Sequence, residues 1–164
     1  GWGRCMSSII RGDDNFDTAD VNGPLFTAEL SSNFGISNIA WTKVPLNTEV
    51  YDSDGCYDPS TYRFTPTKAG YYNVYGSVRI TATAVRAVYV NIYKNGGSVA
   101  WRLSDYNTNA SSIINFSQNV SSLVPFNGSS DYIELYVWAQ SNSGALSVTN
   151  GRDTKLAAHW VKEL

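Results

Sequence analysis

Three aspartates lie close enough in the sequence to bind a hard metal ion together. Asp52, Asp54 and Asp58 form the pattern D-x-D-G-x-x-D, which offers carboxylate oxygens for Ca²⁺ and a glycine for a sharp turn. An EF-hand loop would need further ligands and a closing glutamate. Acidic turns that contain glycine are also common in β proteins for conformational reasons alone. The sequence therefore leaves open a calcium site, the one cofactor it suggests, and a solvated acidic turn.

Groups that could catalyse a reaction are sparse in this chain. His159 is the only histidine, and no G-x-S-x-G motif accompanies it. The glutamates are isolated from one another in the sequence, so no acid–base pair of the kind used by glycosidases is indicated. Two distant cysteines, Cys5 and Cys56, could form one disulfide, but with a single histidine they do not make a zinc pattern. We expect a protein that is not an enzyme.

One tract combines aromatic rings with amide and hydroxyl groups, which are the usual components of a sugar-binding site. It contains Trp101, Tyr106, Asn107 and Asn109. Aromatic rings supply a stacking surface, and the amides supply hydrogen-bond donors and acceptors. A solvated hairpin connection would have the same composition, with Trp101 in the core. The sequence predicts a ligand-binding loop here without excluding that simpler alternative.

The strand that follows Gly70 carries a different chemistry on each face. Every second residue from Tyr72 to Ile80 is apolar or glycine, whereas the residues between them mix tyrosine with polar groups. Tyrosine and tryptophan recur in alternation on the later strand around Ile133. A monomer needs only one buried face, so the second set suggests contact with a ligand or with other copies of the chain. The candidate interface residues are Tyr71, Tyr75, Tyr132, Tyr136 and Trp138.

Length and charge place these residues in one weakly charged domain. The chain has 164 residues, which is enough for a single full core, and its formal net charge is −2. Lysine and arginine are scattered singly, so the sequence shows no electrostatic footprint for nucleic acid. No apolar run reaches the roughly 18 residues that suggest a membrane span. We expect no membrane insertion.

Short strands separated by turn residues predict an all-β fold. The Asn95-Gly96 pair gives the best hairpin signal, because both residues suit the positive φ angles of a tight turn. Uneven strands around one antiparallel core favour a two-sheet sandwich or a jelly roll. The predicted strands span residues 36–50 with a break near Pro45, and then residues 62–65, 70–82, 86–94, 98–104, 112–124, 132–140 and 155–162.

Several of these residues resemble one known family. Phe64, Pro66, Gly70 and Tyr72 match the spacing of the core motif in the globular head of the complement 1q family, a trimeric jelly roll related to the tumour necrosis factor superfamily. Further similarities are Tyr57-Asp58, the Lys94-Asn95-Gly96 hairpin, and Asp131 with Ile133 and Leu135. The final strand departs from the family pattern, with Ala157 to Val161 in place of the usual phenylalanine, glycine and leucine. The resemblance covers residues 36–164 and implies a homotrimer in which the outward face of one sheet packs around the three-fold axis.

The segment before this head suggests a viral source. Residues 9–18, IIRGDDNFDT, resemble leaders of bacteriophage virion proteins. We therefore divide the chain into an N-terminal leader, 1–35, and a head, 36–164, with residues 9–26 as a segment that docks on other virion proteins. The implied function is a trimeric virion head, such as a tail-fibre tip, that binds polysaccharide or protein on the host bacterial surface. The alternatives are a capsid or tail decoration protein that binds only virion proteins, and a secreted lectin-like or signalling head.

Overall fold

The computed structural model describes residues 23–105, 113–142 and 146–164. These residues form β strands and turns without a helix, so none of their segments could cross a membrane as a helix. Short strands come first: β1 (Leu25–Leu30), β2 (Phe34–Ile36), β3 (Thr42–Lys43), β4 (Thr48–Asp52), β5 (Tyr57–Asp58) and β6 (Arg63–Phe64). The longer strands follow: β7 (Gly70–Thr83), β8 (Val85–Lys94), β9 (Gly97–Asp105), β10 (Ile113–Phe126), β11 (Ile133–Ser141), β12 (Leu146–Thr149) and β13 (Gly151–Lys162).

The strands form two antiparallel sheets that pack face to face. Sheet I contains β2, β12, β7, β13, β1 and β4 in that order, and β10 pairs with the other edge of β7. Sheet II runs β5, β6, β11, β8 and β9, and β3 also pairs with β11. The all-β jelly-roll sandwich predicted from the sequence is confirmed.

Strand β7 is the centre of sheet I. It pairs with β10 along its whole length, from Gly70 opposite Phe126 to Thr83 opposite Ile113. Its other edge is shared, because β13 pairs with the first half of β7 and β12 with the second half. The predicted alternation therefore places one face of β7 in the core and leaves the other outward.

An aromatic cluster fills one end of the core. Phe26 stacks on Phe64 with ring centroids 4.0 Å apart, and Tyr72 meets Phe126 edge-on at 5.0 Å. All four side chains are fully buried. Each buried ring contributes roughly 1.5–3 kcal/mol through apolar burial. Phe64 and Tyr72 belong to the motif that carries the family resemblance, so that motif serves the core.

The Asn95-Gly96 turn is the predicted hairpin. Both residues have positive φ, 52° and 80°, which is the geometry of a type I′ turn between β8 and β9. The Asn95 side chain donates to Asp131 at 2.8 Å and accepts from the Tyr132 amide at 3.0 Å. Lys94 forms an ion pair with Asp131 at 2.8 Å. These bonds join the hairpin to the turn before β11.

The predicted long strand over residues 36–50 is wrong. The segment contains only the two-residue strand β3 and the ends of β2 and β4, and it turns at Ile39, where φ is positive. It follows the edge of β11 through separate hydrogen bonds, such as the 2.9 Å bond from the Val44 amide to the Leu135 carbonyl. Pro45 donates no backbone hydrogen bond, which prevents a regular ladder here.

The head begins earlier than the predicted boundary at residue 36. Strand β1 lies between β13 and β4 in sheet I, and its Phe26 is in the core. Strand β2 pairs with β12. Residues 25–35 are therefore part of the sandwich rather than a leader, because their alternating apolar side chains complete sheet I. Of the predicted docking segment, residues 9–22 lie outside the described residues.

Replacing Gly70 by alanine tests the role of the motif glycine. Gly70 has a φ of 150°, and an added Cβ would lie 2.5 Å from the Lys162 carbonyl oxygen. We expect Gly70→Ala to lower the free energy of unfolding by about 1–3 kcal/mol, measured by urea denaturation. Gly35→Ala is the control, since an added Cβ there comes no closer than 3.9 Å to another atom. Equal stability of the two variants would contradict this role.

Candidate binding surface

The two outward faces of the sandwich differ in chemistry. On sheet I, the outward residues of β7 from Tyr71 to Ser77 and those of β10 from Ser117 to Pro125 are uncharged and mostly hydroxyl, amide or tyrosine side chains. On sheet II, the outward positions of β8, β9 and β11 carry large aromatic rings. The sandwich therefore presents one polar face and one aromatic face.

Strand register assembles the aromatic face. On β8, Tyr89 and Tyr93 alternate with buried aliphatic residues and point outward. Trp138 pairs with Tyr89 on one side, and Trp101 lies across from Asn91 on the other. We call the following set the aromatic surface: Trp41, Tyr89, Tyr93, Trp101, Tyr136 and Trp138.

The rings of the aromatic surface form a connected chain. Tyr89 meets Trp138 edge-on at 5.1 Å and contacts Trp101 at 6.1 Å. Trp41, just before β3, touches both Tyr89 and Tyr93, with centroids 6.0 and 6.1 Å away. Trp101 is 62% exposed and Trp41 is 42% exposed. Two indole rings are therefore accessible above a floor of partly buried tyrosines.

A depression lies between the two exposed tryptophans. Its volume is about 320 Å³, and it is lined by Trp41, Tyr89, Asn91, Tyr93, Ser98 and Trp101. Asn91 is only 3% exposed and accepts a hydrogen bond from the Ser98 hydroxyl at 2.8 Å. The Asn91 amide nitrogen donates no hydrogen bond to any residue that the structure describes. The depression thus combines stacking rings with a hydrogen-bond donor at its base.

A buried carboxylate borders this face. The Glu134 side chain is 3% exposed, and one of its oxygens accepts hydrogen bonds from Arg63 at 2.9 Å and from Lys43 at 3.1 Å. The Arg63 guanidinium also lies 4.0 Å from the centroid of the Tyr132 ring. Burial and the nearby Glu134 carboxylate raise the pKa of Tyr136. One carboxylate therefore pairs with two cations, and this end of the face keeps one positive charge in excess.

The predicted interface residues do not share one face. Tyr71 and Tyr75 point outward from sheet I, whereas Tyr136 and Trp138 point outward from sheet II and Tyr132 lies at the end of that second face. The two groups lie on opposite sides of the sandwich. A single patch around a three-fold axis cannot contain both groups, because the core separates them.

The acidic loop is organised by its own hydrogen bonds. Asp52 accepts bonds from two backbone amides of the same loop, at 2.6 and 3.2 Å, the longer one from Asp54. Asp58 accepts bonds from Ser60 and Thr61, which lower its pKa to about 2. Within the described ranges, no three histidine, cysteine or acidic side chains are grouped to hold a metal ion. The loop geometry thus gives Asp52 and Asp58 turn-forming roles.

Of the predicted ligand-binding tract, the structure describes only Trp101. Trp101 is an exposed outward residue of β9 rather than a core residue. Tyr106, Asn107 and Asn109 lie outside the described residues.

Trp41 was not predicted from the sequence as a binding residue, because it precedes a strand of only two residues. His159 is exposed on β13.

Replacing Glu134 by glutamine tests the buried carboxylate. Glu134→Gln removes the charge that two cations share, while Arg63 and Lys43 keep partial access to solvent. We expect a loss of about 1–3 kcal/mol in the free energy of unfolding, measured in urea. Asp153→Asn is the control, because its 2.9 Å pair with Arg79 is solvent-exposed and should contribute less than about 1 kcal/mol. A larger effect at Asp153 would contradict the assignment.

Comparison with known proteins identifies the fold. No protein-family model and no curated protein match the sequence. Among solved structures, murine APRIL at pH 5.0 aligns with a TM-score of 0.63 and 11% identity, over 85% of this chain and 100% of that chain. Eiger TNF from S. frugiperda aligns with a TM-score of 0.59 and 11% identity, over 87% and 93% of the respective chains.

A complement protein also has a similar structure at low sequence identity. The globular domain of the zebrafish complement 1qA protein aligns with a TM-score of 0.57 and 10% identity, over 86% of this chain and 99% of that domain. Identities this low establish the fold alone. The chain therefore shares the jelly roll of tumour necrosis factor-like and complement head structures.

Proposed function

We propose that this chain is a non-enzymatic, homotrimeric head carried on a bacteriophage particle, where it binds the surface of the host bacterium. The observation that supports this function best is the contrast between the two outward faces. One face can be buried between copies of the chain while the other stays accessible to a ligand. The leader resemblance in residues 9–18 supports the phage particle, and the jelly-roll resemblance supports the trimer.

The polar face of sheet I is the better surface for contact between copies. Near a symmetry axis, a side chain lies close to its own copies, so a charge there would be repelled. Tyr71 and Tyr75 are half-buried and Ala157 lies opposite Tyr75 on β13, while the Lys155 ammonium lies 5.9 Å from the centroid of the Tyr75 ring. On β10 the exposed Leu123 lies opposite Asn73. The outward side chains of β7 and β10 in this region are uncharged, so burying them would remove apolar surface from water, with Lys155 on β13 as the cation beside Tyr75.

Assembly through sheet I leaves sheet II outward in every copy. The aromatic surface, with Trp101 and Trp41 exposed, would then face solvent around the outside of the trimer. Exposed aromatic patches of this kind are typical of interaction sites. Recognition through the aromatic surface therefore does not compete with assembly.

Solution mass tests the trimer and its interface. We expect light scattering to give three times the 18.0 kDa chain mass. Tyr75→Arg should reduce the mass to that of a monomer, because like charges would meet near the axis. Trp101→Arg is the matched control on the opposite face and should remain a trimer. A monomeric wild-type chain would overturn the trimer, and dissociation only in Trp101→Arg would place the interface on sheet II.

The same measurement tests whether the acidic loop binds calcium. If Asp52, Asp54 and Asp58 hold a calcium ion that supports the assembly, the mass or the melting temperature should fall in EDTA and recover with Ca²⁺. Identical values under both conditions would leave these acids with their turn-forming role alone.

Competition for host cells tests adhesion. The purified trimer should reduce adsorption of the virus to its host in a dose-dependent manner, because both would bind the same surface sites. Tyr51→Ala, an exposed tyrosine at the edge of sheet I, should compete as well as the wild type if it remains trimeric. Unchanged adsorption at saturating trimer, together with normal incorporation of the chain into particles, would favour a decoration protein.

A further inference from the structure

The base of the depression contains a polar group that the fold does not fully use. Asn91 is buried in the middle of β8, where aliphatic residues and tyrosines surround it. Its carbonyl oxygen is satisfied by the Ser98 hydroxyl. Its amide nitrogen makes no bond to a described residue and is not among the buried atoms without a partner, so it is accessible in the depression that the residue lines. Because a polar group without a protein partner bonds to solvent or to a ligand, this donor is suited to an external acceptor.

The lining of the depression has no charge. Its six residues are two tryptophans, two tyrosines, an asparagine and a serine. Phosphate, sulfate or an acidic polymer would need arginine or lysine at the site. Glu134, Arg63 and Lys43, which keep one positive charge in excess, are not part of this lining. The ligand that fits such a lining is neutral.

The shape favours a ring with an apolar face and a polar rim. A pyranose ring offers a flat set of C–H groups that can stack on an indole, and hydroxyl oxygens that can accept a hydrogen bond. The volume of about 320 Å³ falls at the lower end of the range for small-ligand sites, about 300–1,000 Å³. The depression is therefore the size of a short saccharide rather than of a folded partner.

We infer that the depression between Trp41 and Trp101 binds a neutral hexose or N-acetylhexosamine unit of a glycan. The sugar ring stacks on the two indoles, and one of its oxygens accepts a hydrogen bond from the Asn91 amide. This inference rests on the proposed adhesion function and specifies its ligand. It places the site on the aromatic surface of sheet II.

The test is titration of the full chain against an array of neutral oligosaccharides. The array contains hexose and N-acetylhexosamine oligomers of differing linkage, with polygalacturonate as the charged comparison. We expect saturable binding to at least one neutral oligomer, measured by tryptophan fluorescence and calorimetry, and weaker binding to polygalacturonate. Trp101→Ala should lower the affinity about tenfold or more, as loss of a central aromatic anchor does.

Two further variants and one control complete the experiment. Trp41→Ala should weaken binding by a similar factor. Asn91→Asp keeps the acceptor for Ser98 but cannot donate, so it should also lose affinity, provided that its melting curve shows a folded protein. Tyr51→Ala removes an exposed aromatic side chain from sheet I and should bind like the wild type.

Other outcomes would overturn the inference. Failure to bind any neutral oligomer excludes a neutral glycan, and unchanged binding by Trp101→Ala and Trp41→Ala places the sugar elsewhere. Wild-type association beyond a trimer that Trp101→Ala abolishes would show that a second copy occupies the surface. If Trp101→Ala still blocks virus adsorption as well as the wild type, the inference fails while the proposed adhesion function stands.

Discussion

The pairing of β7 on both edges is the constraint on which the rest of the structure depends. Its full-length ladder with β10 and its divided ladder with β13 and β12 fix the register of sheet I. That register sends Tyr72, Val74, Val78 and Ile80 into the core, where all are fully buried. A slip of one residue would exchange the two faces of β7, so the core and the polar outward face are determined together.

The aromatic surface depends on the opposite sheet in a comparable way. Its rings come from strands β8, β9 and β11 and from the segment before β3, and only lateral pairing brings them together. Glu134 contributes by binding Arg63 and Lys43, which belong to the short strands along the edge of β11. The carboxylate thus helps to hold the segment that carries Trp41 beside Tyr89 and Tyr93.

The sequence was sufficient to predict an element where its local pattern and the tertiary structure agree. Alternation predicted β7 almost to its ends, and the Asn95-Gly96 pair predicted the hairpin, because backbone conformation at those positions is set locally. The strand over residues 36–50 failed because its hydrogen bonds depend on the edge of β11, which is distant in the sequence. Trp41 was missed for the same reason. Its contacts with Tyr89 and Tyr93 come from tertiary packing, to which no motif points.

The pairing of β1 with β13 has a kinetic consequence. The first described strand lies beside the last, with Phe26 opposite Ala158. Contacts between such distant segments slow folding, because the entropy of closing a long loop is lost before they form. During synthesis, β1 can pair early with β4 on one edge, but its other edge must wait until β13 emerges. Until then β1 has an unpaired edge, and the core around Phe26 is incomplete. The nascent chain is therefore prone to aggregation before β13 is made.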